Sequence, residues 1–153
     1  MTEIKLLEQA QSDQIEKLVV GAAILCENKC LCVQRAEGDF MGGLVELPSG
    51  GVDKNESLQV ALLREVQEET GIVSPSSQEL TYLDSFDYTS GSGKKARQFN
   101  FVVNLETQPE VILNPEEHSQ YFWLSEQDLN NSAHNISEKT KKIIKSSFDS
   151  EGK

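Results

Sequence analysis

The stretch that most limits how this chain can fold is residues 55–70, NESLQVALLREVQEET. Neither Pro nor Gly interrupts it before Gly71, and at about 100° per residue Leu58, Leu62, Val66, Leu63 and Val60 fill one broad arc. This spacing predicts an amphipathic helix with its apolar side on a sheet. Asp53, followed three residues later by Glu56, makes a capping-box pattern at its start, and Gly71 is a natural C-cap. Ahead of it, residues 37–53 hold five of the ten glycines and one of the four prolines, so a shaped loop leads into the helix.

On either side the apolar period changes. Residues 17–26 (KLVVGAAILC) and 30–35 (CLCVQR) are short apolar runs separated by Glu27-Asn28-Lys29, a hairpin with largely buried strands. Strand-like runs return at 80–88, 98–105 and 121–124, the first two joined by a Gly- and Ser-rich tip at 89–93. A closing helix is expected over 137–148, with Ile143, Ile144 and Phe148 on one side. Ile4, Leu6, Leu7, Ala10, Ile15 and Leu18 predict a weak helix in a short N-terminal extension, residues 1–17, that covers the sheet. Strands on both sides of a central helix point to mixed α/β layering in a single domain, residues 1–153.

Glu65, Glu68 and Glu69 stand at i, i+3 and i+4, which puts three carboxylates within one turn on a neighbouring arc, with only small Ala61 between them. Each like-charge pair costs about a few tenths of a kcal/mol on a bare helix, and the flanking Arg64 cannot neutralise three of them. A divalent cation can. All-oxygen ligation, with no His or Cys at matched spacing, selects a hard ion such as Mg²⁺, with Mn²⁺ as substitute, whose remaining positions go to water and substrate phosphate. A solvated acidic face is the alternative reading of the same residues.

Composition narrows the partners. Lys and Arg number 14 against 25 Asp and Glu, a formal charge of −11 that repels duplex DNA, RNA and anionic membranes. A small phosphate-bearing molecule would need a cation to enter. No apolar run approaches the roughly 20 residues of a membrane span, and the start lacks a secretory pattern, so the expected address is the cytoplasm. Cys26, Cys30 and Cys32 have no partner set for zinc and read as buried reduced thiols. His118 and His134 show neither metal nor triad spacing and read as incidental, and no nucleophilic Ser or Cys motif is present.

Read from Gly50, the sequence is G-GVDKN-E-SLQVALL-R-E-V-Q-E-E-T-G-I. It resembles the Nudix box, G-x5-E-x7-R-E-U-x-E-E-x-G-U with U aliphatic, and every specified position over residues 50–72 matches. With seven fixed residues at average usage, a chance match is on the order of one in a billion per window. Similarity to the MutT-type branch of the Nudix hydrolases extends back to about residue 28, through NKCLCVQRAEGDFMGGLVELPSGG.

The resemblance implies an α/β/α sandwich, with a mixed β-sheet between helices, and hydrolysis of a pyrophosphate bond in a nucleoside diphosphate linked to another group. Carried over by position, Glu65, Glu68 and Glu69 hold Mg²⁺ or Mn²⁺, and the backbone carbonyl of Ser49 supplies another ligand. Many members have Gly there; Ser is tolerable if its φ stays negative. Arg64 is expected to pair with box carboxylates and fix their rotamers. The base for the attacking water varies across the family, which leaves Glu68, Glu56 and the outside acids Glu116 and Glu117 open, Glu117 also as a metal ligand.

Arg35 resembles the strand-borne arginine that MutT-type members aim at substrate phosphate. Glu46 matches the glutamate before their turn, and Gly50 opens the box beside the substrate. Asn135 stands about where MutT places a purine-reading asparagine, a position that also suits a helix N-cap. Phe40, Tyr88, Phe122 and Trp123 offer faces for a base or for the core. The run Lys94-Lys95-Ala96-Arg97 reads as a solvated hairpin turn, with closure on a polyphosphate as its alternative.

The activity expected first is MutT-like cleavage of a nucleoside triphosphate, with 8-oxo-dGTP among the candidates, to monophosphate and pyrophosphate. A Nudix hydrolase of ADP-ribose, a nucleotide sugar or a dinucleoside polyphosphate is the alternative, favoured by the ELPSGG turn and by Tyr88, 16 residues past the box. A nucleotide sensor without turnover is disfavoured by the full set of carboxylates. Monomer and homodimer both remain open.

Overall fold

The computed structural model describes residues 2–38, 41–73, 80–131 and 133–151; Phe40 lies outside them. In chain order the elements are α1 (Glu3–Ser12), β1 (Lys17–Cys26), β2 (Lys29–Arg35), β3 (Val45–Glu46), β4 (Ser49–Gly51), α2 (Leu58–Thr70), β5 (Leu80–Thr89), β6 (Lys95–Asn104), β7 (His118–Leu124) and α3 (Glu138–Glu151). The strands form one seven-stranded mixed sheet in the order β3-β2-β1-β6-β5, with β4 added to β1 and β7 to β2. Only β1 and β6 run parallel among these pairs.

The near-continuous apolar run of β1 follows from burial on both faces. Val20, Ala22 and Ile24 join Phe99, Phe101 and Val103 of β6 under Leu58, Leu62 and Val66 of α2, with Leu6 and Ala10 of α1 alongside. Ala23 and Leu25 point the other way, with Cys30, Cys32 and Val102, against Ile143 and Ile144 of α3. Helices thus cover both faces of the mixed sheet, the α/β/α arrangement expected. The three cysteines form no disulfide and are buried.

Three local expectations are corrected. The N-terminal helix stops at Ser12, because Asp13 caps it and Gln14 turns the chain at φ 61°; Ile15 and Leu18 reach the core from the linker and from β1 instead. Helix α2 begins at Leu58, not near 55, since Ser57 is the N-cap and its side chain accepts from Val60 N–H. Asp53 and Glu56 do bond as in a capping box, Asp53 N–H donating to Glu56 Oε1 at 2.9 Å, but they close the loop ahead of the helix. Val60, assigned to the apolar arc, is 55% exposed at its edge. Gly71 caps α2 at φ 76°, as the sequence predicts.

One edge of β1 is divided between two neighbours. It pairs with β2 only at Leu25 and Cys26, beside the hairpin turn, and with β4 at Val19, Val20 and Gly21. Between these stretches Ala22 N–H donates to Pro48 O at 2.9 Å. The glycine-rich loop is therefore hydrogen-bonded into the sheet where β1 and β2 part, with α2 above it.

Candidate active site

Arg64 organises the loop and the helix. Its Nε and Nη2 donate to Glu56 Oε2 and Oε1 at 2.8 and 2.9 Å, and Nη2 also reaches Gly51 O at 2.9 Å. Nη1 donates to Glu65 Oε1 at 2.7 Å and lies 3.3 Å from Glu68 Oε2. A planar fork makes these contacts together; an ammonium does not. The expected pairing of Arg64 with box carboxylates is what the geometry displays. Both Glu56 oxygens are occupied, and the Arg64 guanidinium, with the Asp53 N–H, holds this carboxyl down at about 2.

Glu69 is 7% exposed, and its Oε1 accepts from Ser49 N–H at 2.9 Å. Burial pushes its carboxyl up to about 9, against that hydrogen bond and with help from the nearby Glu46, Glu65 and Glu117. Burial also raises Glu65, with Arg64 opposing and Glu68 and Glu117 adding to the rise. The Ser49 φ is not positive, as a backbone carbonyl ligand at a Ser requires. Gly50 packs directly against the Glu65 carboxyl, so a Cβ there would strike it.

On the other wall, Arg35 Nε lies 3.0 Å from Glu46 Oε2, which is 3.3 Å from His118 Nε2. Strands β2 and β7 slip register between Gln34 and Arg35, so Gln34 faces Gln120 while Arg35 faces His118. Ser119 is the extra residue of this bulge, and bulges re-aim side chains. His118, read from sequence as incidental, is buried here, and one ligand atom each of Glu69, Glu117 and His118 lie within 4.8 Å of one another. Counting the strand period back from Trp123 does not find it, because the bulge breaks that period.

Two cavities meet at the Arg35–Glu46 pair and Ser49. The acidic one, about 260 Å³, is bounded by Glu65, Glu69, Glu117, His118 and Gly50. The other, about 240 Å³, is more apolar and is lined by Phe86, Tyr88, Met41, Leu44, Gln98 and Thr140, among others. Glu65, Glu69 and Glu117 brought together on one chamber fit a hard divalent cation, the donor chemistry expected for Mg²⁺ or Mn²⁺.

Not every residue singled out in the sequence falls in these cavities. Glu68 is the outermost box acid, its side chain 57% exposed beside Arg64. Glu117 lines the acidic cavity; Glu116 N–H is bonded to Asn114 Oδ1 in the preceding loop. Asn135 is exposed, its carbonyl accepts from Val45 N–H at 2.8 Å, and the hydroxyl at the start of α3 that accepts from Thr140 N–H belongs to Ser137. Phe122 packs against His134, and Trp123 against the core under α2, whereas Tyr88 faces the apolar cavity. Arg97 is held by Asp87 and Asp13, and Lys95 by Glu16 and Asp13, so the basic run ties the β5–β6 hairpin to the segment after α1.

A model of the NUDIX domain matches residues 16–146. The chain belongs to the NUDIX family. An 8-oxo-dGTP diphosphatase of Proteus vulgaris is 42% identical over 59 residues, which are 37% of this chain and 53% of that relative. The match thus spans about half the length of this curated relative. Among solved structures, a MutT protein from Methanosarcina mazei is 27% identical with a TM-score of 0.71, over 90% of this chain and 95% of that one. The NUDIX domain of Shewanella oneidensis NrtR, complexed with ADP ribose, superimposes with a TM-score of 0.70 at 21% identity, over 98% of this chain and 99% of that one, a likeness of fold.

Proposed function

We propose that this protein is a divalent-metal-dependent NUDIX pyrophosphohydrolase of the MutT type, cleaving a nucleoside triphosphate to its monophosphate and pyrophosphate. The observation that carries the reading is the junction of the two cavities: an acidic chamber built by the box opens beside an apolar one of base-sized volume, with a cationic side chain at their border. The similarity to an 8-oxo-dGTP diphosphatase supports oxidised purine nucleotides as the first substrates to test.

In this reading Glu65, Glu68, Glu69, Glu117 and the Ser49 carbonyl hold the cation, Mg²⁺ or Mn²⁺. When bound, the cation neutralises the polyphosphate oxygens and acidifies a water. Arg64 and Glu56 set the carboxylates rather than exchange protons, because a carboxyl held at about 2 with both oxygens bonded is a poor base. The base is Glu68, on the open side of the helix, or Glu117, on the chamber wall. Arg35, positioned by Glu46, meets the phosphate nearest the nucleoside, and Gly50 leaves the room in which Glu65 works. Asn135, exposed and with its backbone carbonyl bonded to β3, is at most a rim contact. The whole chain, residues 1–153, acts as one domain in the cytoplasm, on a small nucleotide and not on a nucleic-acid polymer or a membrane.

A second reading, hydrolysis of ADP-ribose or a dinucleoside polyphosphate, is favoured by Tyr88, which lines the apolar cavity and offers a face for a further base. Products separate the two. Purified protein with Mg²⁺ is incubated with (8-oxo-)dNTPs, ADP-ribose, nucleotide sugars and diadenosine polyphosphates, with Glu68→Gln and Glu117→Gln alongside. Monophosphate plus pyrophosphate from a triphosphate supports the first reading. AMP plus a phosphorylated remainder supports the second, and equal silence of wild type and variants refutes both.

A further inference from the structure

The floor of the apolar cavity carries a buried amide pair that the hydrolytic chemistry does not use. Gln98, on β6, is 7% exposed and faces the cavity; Asn100, two residues on and on the same side of the strand, is fully buried. A glycine makes the pair fit: Gly21 of β1 lies opposite Asn100, and a Cβ there would meet both Gln98 Nε2 and Asn100 Oδ1. Polar side chains placed inside a sheet cost stability unless they are hydrogen-bonded.

The network fixes which way each amide points. Asn100 Nδ2 donates to two backbone carbonyls, Asp84 O and Gln98 O, both at 3.3 Å. Carbonyls accept only, so the Asn100 amide has its NH₂ on that side and its Oδ1 toward Gln98. Gln98 answers with Nε2, which donates to Oδ1 at 2.8 Å. Its Oε1 is left as an acceptor: among the described residues, the side-chain hydrogen bond of the Gln98 amide is the one from Nε2 to Asn100. Phe86, directly across the ladder from Gln98, and Tyr88, opposite Ala96, flank it with aromatic surface. Apolar walls around one oriented polar group are how a pocket gains specificity.

We propose that Gln98 is a specificity-determining residue: its Oε1, oriented by Asn100, accepts a hydrogen bond from an N–H on the edge of a purine base. The proposal rests on the assignment of this cavity to the nucleoside. It selects a nucleotide whose base presents a ring or exocyclic N–H, as guanine, hypoxanthine and adenine do, over one with a bare edge, such as unsubstituted purine. A site built to receive a hydrogen bond rejects the analogue that lacks it, because the buried acceptor is left unpaired.

The test varies the ligand before the protein. Wild type is assayed on the triphosphates of guanosine, inosine, adenosine and unsubstituted purine riboside, and the corresponding monophosphates are titrated by calorimetry. Unsubstituted purine is expected to be about tenfold or more poorer than the best N–H-bearing base, in kcat/KM and in affinity. In Gln98→Leu that gap closes, read as a rise in KM for the N–H-bearing nucleotides toward that of unsubstituted purine; Asn100→Ser, which frees the Gln98 amide to turn, narrows it partway. A gap absent from wild type, or unchanged in Gln98→Leu with an unaltered melting temperature, overturns the proposal and leaves the amide pair a structural one. If Gln98→Leu does not fold, the ligand series and Asn100→Ser decide. Failure to hydrolyse any nucleotide sinks the activity assigned above, and the monophosphate titrations then decide the role of Gln98; absence of any binding overturns that too.

Discussion

The Glu65 carboxyl fills the space that a side chain at Gly50 would need. Arg64 Nη1 donates to this carboxyl at 2.7 Å, so a Cβ at Gly50 is accommodated only by pushing it off that bond. Gly50→Ala is therefore expected to lower kcat by about a hundredfold through displacement of this carboxylate, a loss of the size that misplacement in a site produces. The melting temperature should change by only a few degrees, since the clash is with the tip of a side chain. Steady-state kinetics beside thermal unfolding measures this; a variant that unfolds but keeps its specific activity would contradict it.

Arg64→Lys keeps the charge and loses the fork. Glu56, Glu65 and Gly51 O are held at once by different nitrogens of one plane, and an ammonium cannot span them. We expect a drop of about 10- to 100-fold in metal affinity or activity, the range for residues that orient ligands without touching the ion. Activity titrated against Mg²⁺ should show the half-saturating concentration rising; an unchanged curve would remove Arg64 from the positioning role.

The raised Glu69 carboxyl makes stability and metal binding depend on pH in opposite senses. In the folded protein it titrates near 9 rather than near the ordinary 4.5, so between those values the folded state binds more protons than the unfolded state. Metal-free protein should lose stability as pH rises through that window. Mg²⁺ requires the ionised form, so its binding at pH 7 should release protons and tighten with pH. Calorimetry of Mg²⁺ binding in buffers of different ionisation enthalpy tests the release, and Glu69→Gln should flatten the pH dependence of metal-free stability.

His118 holds Glu46, and Glu46 holds Arg35. His118→Ala should loosen the arginine and raise KM by about three- to tenfold, the worth of one hydrogen bond, with little change in kcat. His118→Gln, which can still donate to Glu46, should recover most of it. A fall confined to kcat would tie His118 to the reaction centre instead.

Much of this arrangement was legible in the sequence because it is local. The arc of Leu58, Leu62 and Val66 and the Gly71 cap lie within a few helical turns, where spacing fixes neighbourhood, and the Arg64–carboxylate pairing is what the family resemblance implies. The fold class followed from the alternation of apolar periods. What was missed depends on contacts distant in sequence. His118 enters the site through a bulge against Arg35, Gln98 is oriented by a network closed at Asp84, and the N-cap of α2 is Ser57 although the Asp53–Glu56 pattern is a better local signal. Of the two readings of Asn135, substrate contact and helix N-cap, the second is excluded, because the hydroxyl that accepts from Thr140 N–H belongs to Ser137.

The parallel pairing of β1 with β6 sets an order on how the site comes into being. Helix α2 packs on a surface to which Phe99, Phe101 and Val103 of β6 contribute, and the Arg35 wall needs His118 from β7. A nascent chain emerging from the ribosome therefore displays all of its box carboxylates well before it has anything to lay them against. Until residue 104 is out, β1 lacks its longest neighbour, and until residue 118 follows, Glu46 lacks the imidazole beside it. Contacts this far apart in sequence form late, since chain closure precedes the gain from packing. A chain stopped before β6 would thus carry the whole box without the walls it packs against.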